Sequence, residues 1–161
     1  MKIPEKLLKL LKENGVDYET LRHPEAYTAM ELAEAEHVKG RRHAKVVIVK
    51  SGDDLVMAVL PSDRMLDLER FEAVTGKNAK LADEEEFKSR FPDCEVGTMP
   101  PFGGLYGLPT FVDVSLREVE SIVCEAGTHT DAIRIAFRDF ERLAEPRFVD
   151  VAIKMHSSKA A

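Results

Sequence analysis

Hydrophobic positions along this chain switch between helical and strand-like spacing. After Pro4, which suits a helix start, Leu7, Leu8, Leu10 and Leu11 form an apolar stripe that Asn14-Gly15 ends, so the spacing predicts a first helix. Tyr18 to Leu21 reads as a short strand broken by His23-Pro24, and Thr28 can cap a helix running to about Glu36. Ala44 to Val49 is rich in β-branched residues. Ser51-Gly52-Asp53-Asp54 then supplies a turn and Leu55 to Leu60 a second apolar strand, which together predict a hairpin. Asp67 precedes Leu68, Phe71 and Val74 at helical spacing with Gly76 as the stop, and Asp83 can cap a further helix ending near Pro92. Beyond a Gly/Pro-rich stretch, Thr110 to Val114 and Ser121 to Glu125 read as strands. Thr130 to Phe137 alternates Ile133, Ile135 and Phe137 on one face, and Arg138 to Ala144 reads as a short helix stopped by Glu145-Pro146.

Helices and hairpins interspersed without a regular βαβ repeat predict an α+β fold with a mixed, mostly antiparallel sheet flanked by helices. A chain of 161 residues, 44 % hydrophobic and 32 % charged, can bury the core of one domain but is short for two. Residues 1–152 are expected to form that domain and 153–161 a C-terminal tail. No apolar run approaches the roughly 20 residues that cross a bilayer, and the charged opening segment lacks a signal core, so a cytoplasmic protein without a membrane partner is expected. Cys94 and Cys124 lack CxxC spacing and predict reduced packing residues.

A net charge of −6 argues against a domain that coats nucleic acid by general attraction, and no DNA partner is expected. The stretch from His37 to Lys50 departs from that balance. It carries Lys39, Arg41, Arg42, Lys45 and Lys50 and no carboxylate, which is either a limited anion-binding patch or a solvated edge neutralised after folding. The chain has no P-loop, GxSxG or HExxH motif and its histidines are scattered, so a metal enzyme is not expected.

The stretch Gly97-Thr98-Met99-Pro100-Pro101-Phe102-Gly103-Gly104 is the strongest local signal. Two prolines restrict φ and donate no backbone hydrogen bond, while three glycines permit geometries a Cβ would obstruct. Such a loop is either a rigid surface turn or a holder of exposed amides aimed at a carbonyl or phosphate oxygen. Lys45, at the start of an apolar strand, either snorkels to water or holds a phosphate or ribose oxygen.

Five segments in order carry a family resemblance. They are His23-Pro24-Glu25-Ala26-Tyr27-Thr28, Ala44-Lys45-Val46-Val47, Val96 to Gly103, Leu108-Pro109, and Ala126-Gly127-Thr128-His129-Thr130. With them the chain resembles the YbaK/ProX-type aminoacyl-tRNA deacylases, the superfamily that includes the editing domain inserted in bacterial prolyl-tRNA synthetases. The resemblance implies a free-standing member that hydrolyses the ester of misacylated tRNA without a cofactor. It implies that Lys45 orients the terminal nucleotide and that the Gly97 and Thr98 amides, in the loop from Gly97 to Pro101, position the aminoacyl carbonyl or its oxyanion. From the neighbourhood of these motifs, Tyr27, Thr28, Met30, Val47, Met57, Val59, Pro101, Phe102, Gly127 and His129 are candidates to contact substrate, with His129 equally readable as a hairpin-turn stabiliser. Lys39, Arg41 and Arg42 are the candidate tRNA contacts. The implied partners are the acceptor end of aminoacyl-tRNA and a synthetase. A noncatalytic module of the same fold, binding aminoacyl-tRNA, a nucleotide or a synthetase, is the second reading.

Overall fold

The structure, a computed structural model, describes residues 2–23 and 40–155. The helix expected from Thr28 to Glu36, and with it Tyr27, Thr28, Met30 and Lys39, lies outside the described residues.

The first helix, α1 (Glu5–Glu13), buries Leu7 and Leu11, one turn apart, and leaves Lys9 and Lys12 outside. β1 (Tyr18–Arg22) follows at the edge of the main sheet. β2 (His43–Ser51) and β3 (Asp54–Pro61) form the expected hairpin, paired over its whole length from Ala44↔Pro61 to Ser51↔Asp54. β4 (Arg64–Leu66) leads into α2 (Leu68–Thr75). There the Asp67 carboxylate accepts the amides of Glu69 and Arg70, and Gly76 closes the helix at φ +73°. β5 (Ala79–Leu81) adds to β2, and α3 (Glu84–Phe87) opens on a capping box between Asp83 and Glu86. β6 (Thr110–Asp113), β7 (Ser121–Thr128), β8 (Asp131–Ala136), α4 (Phe137–Ala144), β9 (Arg147–Val149) and β10 (Ala152–Lys154) complete the order.

The main sheet runs β1-β8-β7-β2-β3-β6-β9. Antiparallel pairs β1·β8, β7·β8 and β2·β3 are joined by parallel pairs β2·β7, β3·β6 and β6·β9, which makes the sheet mixed, as expected. Alternation along β2 and β3 sorts their side chains onto two faces. Ala44, Ile48, Met57 and Val59 join Leu7 and Leu11 of α1 and Phe137 and Phe140 of α4 in the larger core. Val49, Val56 and Ala58 face the other way and pack under Phe71 of α2 with Val149 and Val151. The β-branched run in β2 is therefore buried on both sides, which explains why it reads as a continuous apolar strand.

The end of the chain differs from expectation. Ala152, Ile153 and Lys154 pair with Leu66, Met65 and Arg64, so residues 153 and 154 belong to the fold instead of a tail. The buried Asp113 carboxylate holds this segment down by accepting the amides of Val151 and Ala152 at 2.8 and 2.9 Å, a tertiary anchor with no local sequence signature.

Candidate functional site

The Gly/Pro loop is built on the larger core. Met99 and Phe102 are buried in it beside Tyr106 and Leu108, and Phe102 meets the Phe140 ring edge-on at 5.4 Å. From this base the backbone is clasped to the end of β7: Glu95 donates its amide to the Gly127 carbonyl at 2.9 Å, and Gly127 donates its own to the Thr98 carbonyl at 2.8 Å. Gly127 fills this role because its φ is +92° and because a Cβ there would lie 2.5 Å from Cδ of Pro4. Gly97 sits at φ +84° in open space, so conformation alone demands glycine at that position.

The clasp decides which amides are available. Thr98 donates its amide to the Glu95 carbonyl at 3.2 Å and its hydroxyl to the same oxygen at 2.6 Å. The Thr98 amide, expected to face substrate, is thus engaged in a turn hydrogen bond. Among the described residues, the amides of Gly97 and Met99 have no protein acceptor, and Pro100 and Pro101 have no N–H to offer. Gly97 is exposed and Met99 is buried.

Glu95 also ties in the β7–β8 turn. Its carboxylate accepts the His129 amide at 3.4 Å and lies 3.7 Å from Nε2 of that half-exposed imidazole. Gly97, Thr98, Glu95, Gly127 and His129 therefore form one cluster, in which Glu95 went unnoticed in the sequence because two of its partners, Gly127 and His129, lie more than thirty positions away. Both backbone groups of Gly127 are bonded to the loop and the residue is buried, so it shapes the loop.

Lys45 stands on the neighbouring strand. The parallel pairing of β2 with β7 sets His43 beside Val123 and Ala44 beside Cys124. One residue further along each strand, alternation turns Lys45 and Glu125 to the face opposite Ala44 and Cys124, and two residues beyond Glu125 comes the clasped Gly127. Lys45 is half-buried. Loss of solvent pushes its pKa down, partly countered by the negative charge of Asp63 just past the end of β3. Next to it, the fully buried His43 is held down to about 4 by burial and by the proximity of His23.

The strand pairing separates the other candidates. Val47 shares the Lys45 face and is half-buried, whereas Met57 and Val59 point into the opposite core and are fully covered, so they line nothing reachable from Lys45. Phe102 is likewise a core ring, and Pro101 is buried beneath the loop. Arg41 and Arg42 are exposed in the turn before β2. With Arg64, Ser115, Glu118 and Glu120 they line a groove of about 400 Å³, and neither is ion-paired among the described residues. Arg64 escaped sequence reasoning because only the β2–β3 hairpin brings it back to the Arg41 end.

Among the described residues no helix is long and apolar enough to cross a membrane. No group of three or more His, Cys, Asp or Glu side chains among them is placed to hold a metal ion.

Comparison with known proteins supplies the remaining observation. The sequence profile of the aminoacyl-tRNA editing domain matches residues 23–143. A proline--tRNA ligase of Syntrophomonas wolfei is 23 % identical over 118 residues, 73 % of this chain. The chain spans about a fifth of that relative, 20 % of its length. Among solved structures, hypothetical protein APE2540 superposes with a TM-score of 0.82 at 22 % identity, over 92 % of this chain and 100 % of that one. A candidate trans-editing enzyme for prolyl tRNA synthetase superposes with a TM-score of 0.79 at 20 % identity, over 94 % and 96 %. These structural likenesses establish the shared fold.

Proposed function

We propose, from the premise that this chain belongs to the aminoacyl-tRNA editing domain family, that it is a deacylase which hydrolyses the ester joining a mismatched amino acid to the terminal adenosine of tRNA. The observation that carries this reading is the clasp at Gly127. It ties the Gly97 loop to β7, the strand that pairs with the strand carrying the half-buried Lys45, and leaves the Gly97 and Met99 amides without acceptors among the described residues.

The chemistry needs little more than position. Water attacks the ester carbonyl, and the carbonyl π-pair moves onto oxygen. Fixed amides stabilise that oxyanion because they require no reorientation as charge develops. Collapse of the tetrahedral intermediate breaks the bond to the ribose oxygen, which leaves with a proton, and the amino acid departs as a carboxylate. Gly97 and Met99 are the donors in this scheme. Lys45 orients the terminal nucleotide as a compact cation: an anionic phosphate beside it offsets the desolvation that weakens its hold on its proton. Arg41 and Arg42, with Lys39 before them, meet phosphates further along the acceptor end.

The test is a deacylation screen of the full chain against tRNAs mischarged with different amino acids. At least one ester should be cleaved, and Lys45→Ala should slow that cleavage on the order of 100-fold through misplacement of the nucleotide. Absence of hydrolysis across the panel, or an unchanged rate in the folded Lys45→Ala variant, would overturn the proposal.

A further inference from the structure

A second concave surface lies at the opposite end of the sheet. Where β2 finishes at Ser51 and β3, β6 and β9 begin, a cleft of about 470 Å³ opens, large enough for a small organic ligand. At roughly 3.3 Å per residue it lies about 20 Å along β2 from Lys45.

Three cations border this cleft, Lys77, Arg90 and Arg147, against a single carboxylate, Asp54. Lys77 approaches Asp54 only at 3.9 Å, and both side chains are more than half exposed, so the pair is loose. Arg90 is in no ion pair among the described residues. Arg147 is oriented from two sides: it donates to the Val74 carbonyl at 3.4 Å, and its guanidinium carbon lies 5.7 Å from the centre of the Phe111 ring. The floor is apolar, made by Pro109 and Phe111, and Phe111 is fixed edge-on against the buried Phe71 at 5.2 Å. In a chain whose net charge is −6, a local excess of positive charge over an aromatic floor is not a consequence of composition.

Those features specify a ligand with two parts. The unpaired and oriented guanidiniums match an oxyanion carrying several acceptor oxygens, and Arg in particular matches phosphate through parallel donors. The Phe111 and Pro109 floor matches a flat, weakly polar body about the size of a base. We propose that this cleft is a nucleotide-phosphate site, with Arg90 and Arg147 on the phosphate and the base above Phe111. The nucleotide has two possible sources, a free mononucleotide or one residue of an RNA strand.

The experiment is calorimetric titration of the full chain with AMP, with ATP and with a short single-stranded RNA, repeated on Arg90→Ala, Arg147→Ala and the double variant. Each single substitution should weaken binding about tenfold, the loss of one charge-assisted phosphate contact. Binding should also fall as salt rises. Arg90 is exposed, so Arg90→Ala folds and keeps the test informative. Binding of AMP or ATP that both variants weaken assigns the site to free nucleotide, and binding of the RNA alone with the same sensitivity assigns it to a strand. Binding of none of the three up to millimolar concentration, or binding untouched by the double variant, overturns the proposal. Cleavage of a minimal aminoacyl-adenosine ester should be the same in all four proteins, so failure here leaves the deacylase reading standing.

Discussion

Gly127→Ala is the sharpest perturbation the structure offers, because it separates backbone strain from steric conflict. At φ +92° an L-residue is strained by about 1–2 kcal/mol, and the same strain applies to Gly97→Ala at φ +84°. The two sites differ in their surroundings. A Cβ at Gly97 meets nothing within 4 Å, whereas at Gly127 it would lie 2.5 and 2.8 Å from Cδ and Cγ of Pro4. Relieving that overlap means moving the start of α1 or the end of β7, and overpacking of this kind costs about a further 1–3 kcal/mol. Gly97→Ala should therefore destabilise by about 1–2 kcal/mol and Gly127→Ala by about 2–5 kcal/mol, measured as shifts in urea midpoint at constant slope. Pro4→Ala deletes the two clashing carbons and keeps the Pro4 carbonyl that caps Leu7 and Leu8, so it should recover about 1–3 kcal/mol in the Gly127→Ala background. The loop hangs on the Gly127 backbone, so Gly127→Ala should also slow deacylation, with Pro4→Ala restoring part of the rate. Equal destabilisation at the two glycines, or no coupling between positions 4 and 127, would refute the steric account.

Two further outcomes follow from buried titratable groups. His43 is held down to about 4 from its ordinary 6.5 by burial and by His23, so the folded protein keeps it neutral where the unfolded chain protonates it. Stability from this source is complete above about pH 6.5 and falls as the pH drops towards 4, by roughly 2–3 kcal/mol at pH 4.5. His43→Gln should flatten that part of a urea-stability profile, and an unchanged profile would remove His43 as its cause. Burial pushes the Cys94 thiol up to about 11, with the Tyr106 hydroxyl 3.3 Å away, and Cys124 is fully buried. Native protein at pH 8 should resist a thiol-labelling reagent that modifies both cysteines in urea, whereas rapid labelling of folded protein would contradict the packing.

Among the described residues, the helices and the central hairpin were legible in the sequence because their signals are local. Asp67 and Gly76 bracket α2 through caps formed within a few residues, and Ser51 to Asp54 sets the β2–β3 register within one turn. The family motifs likewise pointed to Lys45 and the Gly97 loop as candidates, since residue type and order suffice to recognise such motifs. Short strands such as β4 and β10 carried no comparable signal. Three residues hold no usable periodicity, and each exists only because the other pairs with it across more than eighty positions.

What the chain alone determined is which segments would be helix, strand or constrained loop, and which residues are chemically suited to the site. Tertiary structure decided which of those residues are free to act. The backbone groups of Thr98 and Gly127 are engaged by the turn and the clasp, and Met57 looks like a neighbour of Lys45 until the hairpin register turns it to the other face. The same pairing of distant segments gathers Lys77, Arg90 and Arg147 around one cleft. The reason is physical: conformational preference is set by nearest neighbours along the chain, whereas hydrogen-bond occupancy and facing depend on partners that only folding brings into reach.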